Sequence, residues 1–232
     1  MSGALDRQRW LSRKRIPDLA PLVALLAAIA LSIPVDARQG SPWQPSFTSA
    51  AALSEWTLEG TGAWQIEDGL LRLVKRGTPL PAGSLRRPAA IAVLKTPPLE
   101  RVTVEADLRC LAPVELTVRD MELIFGYESP TRFYYVHLSG VTNAVHNGVF
   151  LVDNADRRRI DAGKTPPQLT DQGWHHFRLE RDGATGRIQV FTDRSPTPAF
   201  DLTDRTIRAG RVGVGSFDDT GEVRGVVVTE RK

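Results

Sequence analysis

Between Val102 and Cys110 every second residue is apolar. Val102, Val104, Ala106, Leu108 and Cys110 alternate with Thr103, Glu105, Asp107 and Arg109. A period of two puts the apolar side chains on one face of an extended chain and the polar ones on the other. The pattern recurs along the chain. Met121, Leu123 and Phe125 alternate with Asp120 and Glu122, and His175, Phe177 and Leu179 alternate with Trp174, His176, Arg178 and Glu180. Trp64 and Ile66 are separated from Leu71 and Leu73 by Asp68-Gly69, a hairpin turn signal. Ile188 and Val190 follow a Gly183-to-Gly186 turn. Val212 and Val214 lead to Phe217, and Val223 to Val228 ends the pattern. One wet and one buried face per strand is the mark of antiparallel sheets.

Proline and glycine set the limits of these strands. Gly77 to Ser84, Thr96 to Pro98, Thr165 to Pro167 and Ser195 to Pro198 suit neither central strands nor helices. The peptide Lys-Thr-Pro-Pro occurs at Lys95 and at Lys164, but the flanks differ, so no internal repeat is read. From Phe47 onward the chain reads as strands, with no capped helical periodicity. About twelve short strands in about 185 residues predict an all-β, two-sheet antiparallel sandwich, a jelly roll. A chain this long can bury a real core without disulfides.

The N-terminus reads differently. Arg7, Arg9, Arg13, Lys14 and Arg15 precede a 15-residue apolar run, Leu19 to Ile33, interrupted by Pro21 and followed by Pro34. Crossing a bilayer takes about 20 apolar residues. A basic start, a short apolar run and small residues after it describe a secretory signal. Val35 and Ala37 fit the small positions before a cleavage point, which predicts a signal peptide over 1–37, with an uncleaved membrane anchor as the alternative. No cysteine lies near that point, which excludes a lipoprotein anchor. The expected organisation is signal 1–37, linker 38–46 and one sandwich domain 47–232, in an exported protein.

That segment also accounts for much of the basic character. The whole chain has 30 basic and 27 acidic residues and a pI near 9.3. Without residues 1–37, which hold five basic and three acidic side chains, 25 basic face 24 acidic. A nucleic-acid binder shows a basic stripe. Here the one basic triplet, Arg157-Arg158-Arg159, is bracketed by Asp153, Asp156 and Asp161 and reads as a solvated, neutralised strand end. Nucleic acid is not an expected partner. The lone cysteine, Cys110, reads as a small buried core residue.

The run Trp174-His175-His176-Phe177-Arg178-Leu179-Glu180-Arg181, its turn at Thr185-Gly186 and Ile188 to Phe191 resemble the late hairpin of laminin-G-like and concanavalin A-like lectin/glucanase domains. Gly210 to Gly221 is similar to the penultimate strand and turn of that group. Trp64 to Leu70 resembles the opening strand of bacterial members, including 3-keto-disaccharide hydrolase-type domains. The resemblance spans about residues 47 to 230 and implies the fold. The group hosts lectins, glycosidases, lyases and adhesion modules, so activity has to be argued from a site. Laminarinase-type members carry E-x-D-x-x-E on one strand. Glu105-Ala106-Asp107 matches its start, but Cys110 stands where the last glutamate belongs, so the two-carboxyl retaining mechanism lacks a member. Glu105 and Asp107 therefore read as solvent-facing strand residues, and the Trp174-His175 pair as structural.

The densest polar and aromatic cluster lies between Arg119 and Asn154 and holds all three tyrosines and two of the four histidines. Aromatic faces stack on sugar rings, and Asp, Asn, Arg and His bond hydroxyls. The expected glycan site comprises Asp120, Glu122, Tyr135, His137, His146 and Asn147. A catalytic version makes Glu122 or Asp120 the base and His137 or His146 the acid. A His-His-carboxylate metal site from the same residues is a further alternative. Whether Glu122 shares a face with His137 depends on register: if paired residue numbers sum to an odd value it does, and a bulge would switch the answer.

Related domains often hold a structural calcium, which makes the acidic turn Asp218-Asp219, with Glu222, a candidate, weakened by Arg224 where a carboxylate would help. Asp153 with Asp156 is a second candidate. No phosphate loop or nucleophile elbow is present. The expected function is an exported, non-catalytic carbohydrate-binding module acting on a glycan or polysaccharide. The alternatives are a glycoside-active enzyme on the same face and a structural protein-interaction module. Membrane contact is expected only through an uncleaved N-terminal segment.

Overall fold

The computed structural model describes residues 42–78 and 80–232, all within one compact unit, Asp36–Lys232. The expected signal peptide, and the expected linker as far as residue 41, lie outside the described residues. Fourteen strands follow in order. They are β1 (Trp56–Gly60), β2 (Ala63–Glu67), β3 (Leu70–Lys75), β4 (Ala90–Leu94), β5 (Arg101–Cys110), β6 (Asp120–Ser129) and β7 (Arg132–Ser139). Then come β8 (Gly148–Asp153), β9 (Arg158–Arg159), β10 (His175–Asp182), β11 (Arg187–Thr192), β12 (Phe200–Thr203), β13 (Arg211–Ser216) and β14 (Gly221–Glu230). They form two seven-stranded antiparallel sheets, ordered β1-β4-β13-β6-β7-β8-β9 and β12-β11-β10-β5-β14-β3-β2. The expected all-β sandwich is what the chain forms. Among the described residues no helix is long and apolar enough to cross a membrane.

The alternation at β5 does what its period requires. Val102, Val104, Ala106, Leu108 and Cys110 are buried between the sheets, while Glu105, Asp107 and Arg109 stay on the outer face. Leu71, Leu73, Phe177 and Leu179 join them from the same sheet, and Met121, Leu123, Phe125 and Val136 meet them from the other. Each fully buried aliphatic or aromatic side chain contributes about 1.5–3 kcal/mol of transfer free energy. Asp68 and Gly69 both have positive φ, 52° and 76°, as a two-residue hairpin turn of the sheet's twist demands.

Three sequence expectations need correction. Residues Ala50–Glu55 form a short 3₁₀ helix rather than strand. Six residues are too few to produce a readable helical period. Trp43, inside the expected linker, is paired to Val228 of β14 in both directions, its N–H donating at 2.8 Å. The third correction concerns the rule of one wet face per strand. The β6-containing sheet is covered on both sides. Its outer face carries a second apolar cluster of Ile91, Val93, Ile124, Tyr127, Phe133, Tyr135, Phe150 and Val152, with Phe217 against it. β4 (Ala-Ile-Ala-Val-Leu) is buried at every position, so it shows no alternation and cannot be told from other apolar runs.

Candidate functional site

The site is set by the register of β6 against β7. Glu122 pairs with His137, Asp120 with Ser139 and Ile124 with Tyr135, so the numbers sum to an odd value. Glu122, Tyr135 and His137 therefore share the outer face, together with Asp120. A bulge does occur, but beyond Phe125, at Gly126 with φ 58°. It turns Tyr127 onto the same face as Ile124 and leaves the polar end of the ladder intact.

Asp120, Glu122 and His137 are buried, each no more than 1% exposed. The turn after β13 holds Asp120 from one side. Ser216 Oγ donates to Asp120 Oδ1 at 2.6 Å, and the Phe217 N–H donates to Oδ2 at 3.1 Å. The Asp120 N–H in turn donates to Asp219 Oδ2 at 2.9 Å, and the Asp219 N–H to Ser216 Oγ at 2.9 Å. His137 Nε2 stands 3.5 Å from Asp120 Oδ2, and Nδ1 stands 3.9 Å from Glu122 Oε1. Both Glu122 oxygens and His137 Nε2 are buried without a hydrogen-bond partner.

Arg157 closes the cluster from above. Its Nη1 donates to Tyr135 Oη at 3.0 Å and to His137 Nδ1 at 3.1 Å. Its guanidinium lies 4.2 Å from the Phe217 ring centre and 4.9 Å from that of Phe150. Because Nδ1 accepts from Arg157, the imidazole proton sits on Nε2 and faces Asp120. The reading of Arg157 to Arg159 as a solvated strand end holds for Arg158 alone. Arg159 is paired to Asp161 at 3.0 Å and its guanidinium also bonds the Asn143, His146 and Asn147 carbonyls.

Burial controls the protonation of this cluster. Removal from water pushes the Asp120 carboxyl up to about 7, aided by the Asp219 charge and opposed by the Ser216 hydrogen bond. Burial, then the neighbouring Asp120 charge, holds Glu122 well above the usual carboxylate range. Burial, then Arg157, holds His137 well below the usual imidazole range, hence neutral. No described arginine or lysine is salt-bridged to Asp120 or Glu122. The cluster can thus hold protons or a small cation.

The remaining expected site residues divide. His146 is half-buried, edge-on to His137 with ring centres 5.3 Å apart. Tyr135 lies in the outer-face apolar cluster, stacked on Phe150 at 5.3 Å. Asn147 does not join them. Its Nδ2 donates to Thr142 Oγ1, Thr165 O and Pro166 O, which fastens two loops together. Sequence reasoning missed Arg157 and the contribution of Phe217. The basic triplet and its aspartates pointed to solvent, and nothing local placed either residue over β7.

The two calcium candidates fare differently. Ligand atoms of Asp120, Asp218 and Asp219 lie within 4.8 Å of one another. Glu222 is not part of that group, since it is held by Arg72 at 3.1 Å and by Arg109 on the other sheet. Asp153 and Asp156 do not converge: the first faces Arg132 and the second accepts the Arg86 N–H at 2.8 Å. Glu105 and Asp107 lie on the opposite sheet, where Asp107 meets His176 at 2.9 Å and Arg224 at 3.1 Å. Cys110 is fully buried, as expected.

Above the cluster lies an open groove of about 490 Å³, lined by Leu80 to Arg87, Ala89, Asp156, Phe217 and Asp218. The Arg157 N–H donates to Arg86 O at 3.1 Å and ties the two sides together.

No protein-family model and no curated protein matches the sequence. Solved structures do. The carbohydrate-binding module CBM66 of Bacillus subtilis is 18% identical, with a TM-score of 0.55 over 74% of this chain and 93% of that one. A Bacillus subtilis protein of unknown function with a galectin-like fold is 13% identical, with a TM-score of 0.55 over 84% and 99%. These likenesses show the fold alone, a two-sheet antiparallel β-sandwich. A GH43 protein of Bacillus licheniformis is similar over 36% of its own length and 76% of this chain, at 9% identity and a TM-score of 0.50.

Proposed function

We propose that the protein is an exported, non-catalytic carbohydrate-binding module that docks a glycan in the groove between the Leu80 to Arg87 segment and the Phe217-Asp218 turn. The observation that carries this reading is the groove's composition. Phe217 offers a half-exposed aromatic face, backed by His137 at 5.4 Å and by Arg157. Exposed Asp156, Asp218 and Arg86 surround it with hydroxyl-bonding groups. An aromatic platform ringed by a few polar groups is the arrangement sugar rings require. Tyr135, His137, Asp120 and Glu122 lie beneath that platform and hold it. Their burial favours binding over catalysis, because no glycosidic oxygen reaches a carboxyl with under 2% exposure. The basic and apolar pattern of residues 1–37 supports export, and one of the similar sandwiches named above is a carbohydrate-binding module.

The test is a polysaccharide and oligosaccharide panel read by affinity electrophoresis and calorimetry. Binding in the micromolar to millimolar range is expected, weakened about tenfold by Phe217→Ala. Absence of binding to every glycan at millimolar concentration would overturn the reading.

A further inference from the structure

We infer that Asp120, Glu122 and His137 form a binding site for a divalent transition-type cation, Zn²⁺ by ligand chemistry. The inference is independent of the glycan reading. Buried polar atoms in folded proteins find partners almost without exception. Here three of them in one place, Glu122 Oε1, Glu122 Oε2 and His137 Nε2, have none, and the neighbouring Asp120 carboxyl can bond Glu122 only by holding a proton between the two. Each belongs to a side chain no more than 1% exposed. Two carboxylates side by side on one strand, with no basic partner, leave negative charge in a dry place, which is unfavourable unless a proton or a cation neutralises it.

The geometry suits a small ion. One ligand atom from each of Asp120, Glu122 and His137 lies within 4.8 Å of the others. The 3.5 Å between Asp120 Oδ2 and His137 Nε2 is the edge length of a tetrahedron whose centre is about 2.1 Å from each corner. One imidazole nitrogen with carboxylate oxygens is a ligand set for zinc and its neighbours, whereas calcium takes six to eight oxygens. The Asp218-Asp219 turn, whose ligand atoms also gather on Asp120, is placed to complete the coordination.

Loading changes the hydrogen bonding in a defined way. The imidazole proton moves from Nε2 to Nδ1, so that Nε2 can donate its lone pair to the ion. The Arg157 bond to Nδ1 then opens, while Arg157 keeps Tyr135 Oη at 3.0 Å. Nδ1–H then points to the side that Arg157 has vacated. Any proton held by the carboxyl pair is released. In the metal-free chain Arg157 is the competitor for this site.

The test is metal content and affinity of the full chain, with no glycan present. After chelation and dialysis the protein is titrated separately with Zn²⁺, Co²⁺ and Ca²⁺. One equivalent of Zn²⁺ is expected, at a dissociation constant of about 10 µM or tighter, with a rise in Tm of about 5–10 °C at saturating metal. Co²⁺ should give a visible absorption band of a nitrogen- and oxygen-ligated tetrahedral ion. Glu122→Gln and His137→Gln should each weaken Zn²⁺ binding about 100-fold or more, and Asp153→Asn should leave it unchanged. Should a cluster variant fail to fold, Arg157→Gln reads the same site in the opposite direction by tightening Zn²⁺ binding. Three results would each overturn the inference. They are no stoichiometric binding tighter than about 100 µM, binding of Ca²⁺ without Zn²⁺ or Co²⁺, and Zn²⁺ binding unaffected in all three variants.

Discussion

Glu122 on β6 lies directly across from His137 on β7, and neither carboxylate oxygen of Glu122 has a hydrogen-bond partner. A charged carboxylate would be unstable there, and the chemistry of this face follows from that single pairing. In the metal-free protein the pair Asp120 and Glu122 must hold protons at a pH where carboxyls are ordinarily ionised.

That requirement makes stability depend on pH. An acid whose folded pKa is raised binds its proton more tightly folded than unfolded. Its contribution is fully present below the unfolded value and is lost as pH rises through the folded one. For Asp120 the window runs from 3.8 to about 7, a difference on the order of 4 kcal/mol. His137 is held neutral, so its own contribution is lost in the other direction, as pH falls below the usual 6.5. Between pH 6.5 and 8 the carboxyl effect is the one that remains. Chelator-treated protein should be less stable at pH 8 than at pH 6.5 in urea unfolding. Glu122→Gln should flatten that slope, and a steeper slope in the variant would contradict the account.

Arg157 joins the sheet to the surface above it. Arg157→Leu removes the bonds to Tyr135 Oη and His137 Nδ1 and the stacking on Phe217. A loss of about 1–3 kcal/mol is expected from denaturant unfolding. Because Arg157 helps hold His137 below its ordinary range, the His137 pKa should rise in the variant, read by NMR titration of the ring nitrogens.

The bulge at Gly126 makes a sharper structural prediction. Its φ of 58° is left-handed, and a Cβ there would stand 3.0 Å from Tyr134 Cδ2. Gly126→Ala should cost about 1–2 kcal/mol with an unchanged urea m-value. A neutral result would show that the β6 backbone can relax without the bulge.

Burial pushes the Cys110 thiol up to about 11, and its side chain has no solvent contact. The native protein should therefore resist a thiol reagent at pH 8 and react fully once unfolded. Fast labelling of the folded chain would place Cys110 at an accessible surface instead.

Much of the fold is legible in the residues themselves. Alternation at β5, β6 and β10 assigns strands and their inner faces, because a two-residue period admits one extended solution. Asp68-Gly69 and Gly186 mark turns for the same local reason. β4 escapes, since a strand buried on both faces carries no alternation. The 3₁₀ helix at Ala50–Glu55 escapes because it is too short for a period.

The candidate site divides along the same line. Its palette of Asp120, Glu122, Tyr135 and His137 is visible in one short segment, because the two strands of a hairpin are neighbours in sequence. The register that sets Glu122 opposite His137, and the covering of that pair by Arg157 and Phe217, are not local properties. They arise where the 153–158 and 216–219 loops close over β6 and β7, bringing together residues that lie from about twenty to about a hundred positions apart in the chain. The sequence alone determined a two-sheet sandwich with a polar hairpin. Only the tertiary structure decided that the hairpin's carboxyls are dry, without an arginine or lysine salt bridge, and set against a histidine, because burial and long-range hydrogen bonding exist only once the chain has folded.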